Sequence, residues 1–147
     1  GASKRLELIK ENKHTSIYKD FAHSPSKLKA TIKSVKQQFP NRKLVSCMEL
    51  HTFSSLNKKF LKEYSNSMDD TDIGIVYFNK KTIKNKKLNL ISKKEVIDSF
   101  KRKDLKVFND SNLLKDFLNS LSWKQKNLLM MSSGNFNNLD LNKIISI

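Results

Sequence analysis

The sequence predicts an α/β fold: a three-layer, Rossmann-like, mostly parallel sheet flanked by helices, with one antiparallel strand at the N-terminal end. Three observations predict it. Strand-like runs alternate with segments of helical periodicity along the 147 residues, the pattern of parallel strands joined by right-handed crossovers. Residues 43–50 and 72–78 are almost unbroken apolar runs, as strands covered on both faces are. Only the first two strand-like runs are separated by a short turn, Asn12 and Lys13, that suits a hairpin.

The elements follow in order. Residues 5–11 alternate in polarity, and a second strand over 15–21 carries the β-branched and aromatic Thr15, Ile17 and Tyr18. Leu28, Ile32, Val35 and Phe39 recur at spacings of four, three and four, which predicts a helix over 25–39. Ser24 is placed to cap it through its hydroxyl, Pro25 suits the first helical position, and Pro40 ends it. A strand over 43–50 precedes a helix from about Ser55 with Leu56, Phe60, Leu61 and Tyr64 on one stripe. After the strand at 72–78, the lysine-rich residues 79–91 read as a loop with a short extended piece. Leu88, Leu90 and Ile91 argue that it docks on the body. Ser92 and Glu95 form a capping box ahead of Val96, Ile97 and Phe100. A short strand at 105–108, a helix from Ser111 through Leu121, a last strand at 127–131 and a short helix through Leu141, Ile144 and Ile145 complete the chain. No repeat and no internal boundary interrupts the pattern, so 1–147 reads as one domain. Chains of this length bury about 68–70% of the surface they expose unfolded.

Charge is the most conspicuous compositional feature. Lys and Arg number 29 against 14 acids, a formal net charge of +15, and a basic nucleic-acid-binding module is the reading that charge alone would support. The lysines are spread over every segment, Lys27, Lys29, Lys33 and Lys36 fall on the outward side of the first helix, and the basic clusters lack interleaved aromatics. Nucleic acid is therefore not the expected partner. No run of about 18 apolar residues would span a membrane, and the N-terminal residues lack the apolar core of a secretory signal. Cys47, the single cysteine, sits in an apolar strand and reads as a buried small hydrophobe. A cytoplasmic location is expected.

In parallel sheets ligands bind outside the C-terminal strand ends, which here are residues 20–23, 49–54, 79–80, 109–111 and 132–137. His51, Thr52, Ser132, Ser133 and Asn135 follow directly on apolar strands. The junction at 20–25 sets a carboxylate, an imidazole and a helix N-terminus side by side, a combination that favours anions; the plainer reading is a strand-to-helix turn in which Asp20 and His23 bond only the backbone. The chemistry missing elsewhere is informative. With only Gly1, Gly74 and Gly134, neither a phosphate-binding P-loop nor a Gly-x-Gly-x-x-Gly turn can be built. His14, His23, His51 and Cys47 show no metal-ligand spacing. Asp20, His23 and Ser24 are sequence neighbours without a nucleophile elbow, which argues against a hydrolytic triad.

Asp20-Phe21-Ala22-His23-Ser24-Pro25, followed by Ser-Lys-Leu-Lys-Ala-Thr-Ile, resembles the start of the C-terminal domain of the Mur ligases, where an Asp-Tyr/Phe-Ala-His-x-Pro signature leads into a helix with an Ala-Thr-Ile-like run. Gly1 to Leu8 resembles the Gly-x-x-x-Arg-Leu/Phe-Glu segment that closes the family's central ATPase domain. The resemblance implies one domain of a larger three-domain, ATP-dependent ligase. In that family a carboxylate is phosphorylated by ATP and an amine then attacks the acyl phosphate to form an amide. It implies ATP and Mg, held mainly by the central domain, and partners that include UDP-N-acetylmuramate, an amino acid or peptide, and the ligase's own two other domains. By resemblance Arg5 faces the ATP phosphates, Asp20 accepts from the ribose hydroxyls, and His23 and Ser24 lie on the loop facing ATP and the amine. Arg5, Asp20 and His23 would be the catalytic set; His51, Thr52, Ser132, Ser133, Gly134 and Asn135 would bind substrate. The isolated domain is expected not to turn over.

Two branches of the family share these features. Met131-Ser132-Ser133-Gly134-Asn135-Phe136 resembles the Met-Ser-Asn-Gly-Gly-Phe segment of the murein-peptide ligases, which attach L-Ala-γ-D-Glu-meso-diaminopimelate. Glu49-Leu50-His51-Thr52-Phe53-Ser54 departs from that branch's Glu-Pro-Arg-Ser-Asn and resembles the Pro-His-x-Tyr-Ser of the UDP-N-acetylmuramate–L-alanine ligases. Ser24 stands where both branches commonly have a second histidine. The tripeptide is the favoured amine and L-alanine the alternative.

Overall fold

The computed structural model of the chain describes residues 6–147. Its strands are β1 (Glu7–Glu11), β2 (Ser16–Asp20), β3 (Lys43–Leu50), β4 (Ile73–Phe78), β5 (Lys106–Phe108) and β6 (Lys126–Met131). Its helices are α1 (Pro25–Gln38), α2 (Lys58–Leu61), α3 (Lys80–Asn85), α4 (Lys93–Phe100) and α5 (Ser111–Ser120). One sheet forms in the order β1-β2-β6-β3-β4-β5. Among the described residues only the β1–β2 pair is antiparallel; the other four pairings are parallel. The expected mixed sheet, with its single N-terminal antiparallel strand, is therefore the observed one.

Side-chain alternation along β3 divides the core in two. Leu44, Met48 and Leu50 join the cluster that takes Leu28, Ile32 and Val35 from α1 and the buried faces of α2, α3 and α4. Val45 and Cys47 point the other way, into a cluster with Leu114 and Leu118 of α5 and with Phe136, Ile144 and Ile145 from the C-terminal segment. Helices thus cover one face and α5 with a strap covers the other. Burial and the nearby Glu49 carboxylate push the Cys47 thiol well up, which leaves it unreactive.

Local chemistry corrects four details. Ser24 has the extended backbone of an N-cap and Pro25 occupies the first turn, but the hydroxyl makes no cap bond. The cap works there through backbone geometry and the pre-set φ of proline. The second helix begins at Lys58 rather than near Ser55, because Asn57 accepts from the Lys59 and Phe60 N–H groups and takes over as cap. Residues 80–85 form a helix where a loop was expected. Asn79 caps it and Ile83 alone is buried, so one apolar residue in six shows no periodicity. Leu88 and Ile91 do pack on the core, while Leu90 stays exposed. No helix forms over 141–145: Asp140 accepts from the Asn142 N–H, and the adjacent Ile144 and Ile145 are both buried in an irregular strap. The capping box of α4 is present as read.

The edge opposite the ligand rim is tied by cations. Arg42 donates to the side chains of Ser16 and Asn127 and to the Lys13 carbonyl. Arg102 donates to the carbonyls of Met68, Thr71 and Asp72. Asp72 accepts from Lys36 Nζ at 2.6 Å and from the Leu44 N–H at 2.7 Å. Partial burial raises its carboxyl, but the Lys36 and Leu44 donors outweigh that and hold it below its ordinary value. A carboxyl lowered by folding stabilises the fold above its unfolded pKa, and that stability is lost as pH falls through the folded value. Asp72→Asn is therefore expected to cost about 1 kcal/mol at neutral pH, after allowing for solvent screening. Urea unfolding at neutral pH and at about pH 3 checks this: the gap between wild type and variant must narrow in acid.

Candidate functional site

Because β2, β6, β3, β4 and β5 are all parallel, their C-terminal ends emerge along one edge. The antiparallel β1 starts at the same edge, since Glu7 lies opposite Lys19. Arg5 lies outside the described residues. The other sequence-predicted residues all sit on this rim, in two groups.

The first group is the β2–α1 junction. Asp20 Oδ1 accepts from the Ala22 N–H at 2.7 Å; Oδ2 has no partner among the described residues. His23 Nδ1 lies 2.9 Å from the Phe21 carbonyl, so Nδ1 carries the proton. The His23 ring stands edge-on to that of Phe21. Tyr64 donates to the His23 carbonyl from beneath, and burial pushes its phenol up, which keeps it a donor. Asp20 and His23 do bond the backbone, as the plain reading had it. These bonds fix the loop and still leave one carboxylate oxygen available.

The second group spans the ends of β3 and β6, which lie side by side. Glu49 shares the parity of Cys47, faces the α5 side and is 2% exposed. Its Oε1 accepts from Ser132 Oγ at 2.6 Å and from the Phe136 N–H at 2.9 Å. Ser132 Oγ in turn accepts from the Gly134 N–H at 2.7 Å. Glu49 Oε2 faces His51 Nδ1 at 3.9 Å. A Cβ on Gly134 would stand 2.8 Å from His51 Cδ2 and 3.0 Å from Glu49 Oε1, so only glycine lets the turn close over the imidazole. Phe136 stacks on Tyr77 of β4, the residue opposite Glu49 in the sheet. Burial, then Glu49, push the Tyr77 phenol up, against hydrogen bonds with Asn79 and Ser111.

Ser132 joins the two groups: its backbone N–H donates to the Asp20 carbonyl at 3.1 Å while its hydroxyl serves Glu49. Thr52 is occupied in a closed exchange with Ser55, and Asn135 with Asn138. Ser133 Oγ is buried without a hydrogen-bond partner among the described residues. Sequence reasoning placed Glu49 on the rim but not among the site residues. Its signal was a lone acid inside the apolar run Leu44–Leu50, where a charge needs a built set of donors. Among the described residues, no three His, Cys, Asp or Glu side chains gather in a way that could hold a metal ion.

A family model described as the Mur ligase glutamate ligase domain matches residues 4–134. The UDP-N-acetylmuramate–L-alanine ligase of Lactobacillus delbrueckii subsp. bulgaricus is 39% identical over 72 residues, 49% of this chain and 16% of that protein's length. A murein peptide ligase from Psychrobacter arcticus superposes over 98% of this chain and 31% of its own, with a TM-score of 0.68 and 18% identity. The UDP-N-acetylmuramate–alanine ligase of Thermotoga maritima superposes over 92% and 27%, with a TM-score of 0.67 and 14% identity. The matched stretches thus span less than a third of each relative's length.

Two stability measurements test this geometry. Gly134→Ala must displace the His51 ring or the turn and is expected to cost about 1–3 kcal/mol in thermal or urea unfolding. Phe136, Asn137 and Asn138 occupy the left-handed region in succession, with φ of 53°, 55° and 62°. That region costs L-residues roughly 1–2 kcal/mol each, and Asn somewhat less. Asn137→Gly should stabilise the chain by a few tenths to about 1 kcal/mol, whereas Asn137→Val should destabilise it.

Proposed function

We propose that this chain, which belongs to the Mur ligase family as its glutamate ligase domain, is the amine- and ATP-facing domain of a larger ligase that joins an amine to UDP-N-acetylmuramate. The observation that carries the reading is Ser132, which bonds Asp20 on one side and Glu49 on the other. It couples the loop read as nucleotide-facing to the strand ends read as amine-facing. Acyl phosphate formation and amine attack need those two places adjacent, because positioning supplies much of the acceleration in such transfers.

In this reading ATP supplies the phosphoryl group that activates the carboxylate. The free oxygen of Asp20 is suited to ribose hydroxyls, and His23 and Ser24 line the loop at the start of α1. Mg is assigned mainly to the central domain by the family resemblance alone. Arg5 is assigned to the ATP phosphates by its place in the family segment alone. His51, Ser133 and Gly134 border the amine. Thr52, Ser132 and Asn135 act by shaping the loops, since their polar groups are already engaged. Closure of this domain over the central one would complete the site and exclude water. No described helix is long and apolar enough to cross a membrane.

The tripeptide L-Ala-γ-D-Glu-meso-diaminopimelate is the amine we favour. The turn at Ser132–Phe136 resembles the murein-peptide segment, and Lys80, Lys81 and Lys86 beside the β4 end suit a substrate with several carboxylates. L-alanine is the second reading, supported by the His51–Ser54 pattern and by the relative at 39% identity.

ADP release by the full-length ligase tests this with UDP-N-acetylmuramate, ATP and either amine. Turnover with the tripeptide alone is the expected result, and turnover with L-alanine alone moves the protein to the second reading. Silence with both refutes the ligase. Asp20→Ala is expected to lower turnover about 30- to 150-fold, the size of effect typical for loss of a charged substrate contact of 2–3 kcal/mol.

A further inference from the structure

We infer that His51 takes the proton of the incoming amine on Nε2, and that Glu49 is the positioning residue that holds the imidazole for that task. The inference rests on the ligase reading and adds to it an acid–base role.

The edges of the ring carry the argument. Nδ1 is buried, has no hydrogen-bond partner among the described residues, and lies 3.9 Å from Glu49 Oε2. Cδ2 and Cγ are pressed against Gly134, 2.8 and 2.9 Å from where a Cβ would stand. The side chain is nevertheless 38% exposed, so the Nε2–Cε1 edge is the one that opens to the rim. Glu49 has committed Oε1 to Ser132 and Phe136, which leaves Oε2 toward the ring. A carboxylate facing Nδ1 keeps the neutral ring's proton on that nitrogen and turns the Nε2 lone pair outward. At 3.9 Å the pair is one small side-chain adjustment from contact, and catalytic hydrogen bonds commonly tighten only when substrate is bound. The other titratable groups on this side are Tyr77 of β4, next to Glu49, and Asp110 at the start of α5 behind Tyr77. Ser132, Gly134 and Phe136, from the β6 side, bring none.

The step balances. An ammonium R–NH3+ gives one proton to Nε2 and becomes R–NH2. Its nitrogen attacks the acyl phosphate carbon, the C–N bond forms, the C–O bond to phosphorus breaks, and inorganic phosphate leaves with that electron pair. The second nitrogen proton departs with phosphate, and the imidazolium releases its proton to solvent.

Two readouts test the inference. In the full-length ligase, His51→Gln should lower amide formation about 100-fold or more at neutral pH while acyl phosphate formation persists. The deficit should shrink as pH rises toward the amine's own pKa. A variant profile parallel to wild type at every pH would overturn the base role. In the 147-residue chain, nitrogen NMR of the imidazole should show the neutral tautomer protonated on Nδ1, and that preference should be lost in Glu49→Gln. An unchanged tautomer in a folded Glu49→Gln would overturn the positioning role. Wild-type silence with both amines would refute the ligase reading and the base role together, and the NMR tautomer would then report on Glu49 alone.

Discussion

A single buried carboxylate organises the working end of this domain. Glu49 lies one residue before the end of β3, in a place where an unpaired charge would be costly. The chain supplies donors from a segment more than 80 residues away: the Ser132 hydroxyl and the Phe136 N–H, both on Oε1. Hydrogen bonds to a charged acceptor contribute about 1.5–3 kcal/mol each. They hold the segment after β6 in a left-handed turn that L-residues resist, and they carry Phe136 onto Tyr77. The loop over the imidazole, the stacking beneath it and the tie to Asp20 through Ser132 all depend on that acceptor. Strain of this kind persists only where its surroundings over-determine it.

The two edges of the sheet are built on opposite charge logic. At the far edge Arg42 and Arg102 reach out to carbonyls and amides of neighbouring loops and close them, while Lys36 and the Leu44 N–H meet Asp72. Each guanidinium satisfies several acceptors at once, which suits a fixed base. At the ligand rim the bonds leave groups available: one oxygen of Asp20 and the outer edge of His51.

The sheet was legible because its strands are apolar on both faces and its longer helices repeat at 3.6 residues. The capping box of Ser92 and Glu95 was legible because it is a local pattern. What escaped was decided by single residues or by distant ones. Helix α3 rests on Asn79 and Ile83, too little for a period. The strap at the C-terminal end packs two consecutive isoleucines onto the sheet without a helix, and only tertiary contact reveals it. On the rim, the family-like motifs located Asp20, His23, His51 and Ser132. That Thr52 and Asn135 are spent on their own loops, and that Glu49 governs the site, depends on pairings across β3 and β6 that no local window contains.

The strand order carries a consequence for how the chain reaches this state. β6 is the last strand in sequence, yet it lies between β2 and β3, the second and third. The first 125 residues therefore present two half-sheets with an open seam between them, each exposing unpaired backbone along that seam. During synthesis the domain cannot close until β6 has emerged and slotted into place. Folding of this kind is dominated by contacts of long sequence separation, which slows it and prolongs the exposure of sticky strand edges. The lysines scattered over every segment have a second use here: like charges on many copies keep half-made sheets from pairing with one another before the central strand arrives.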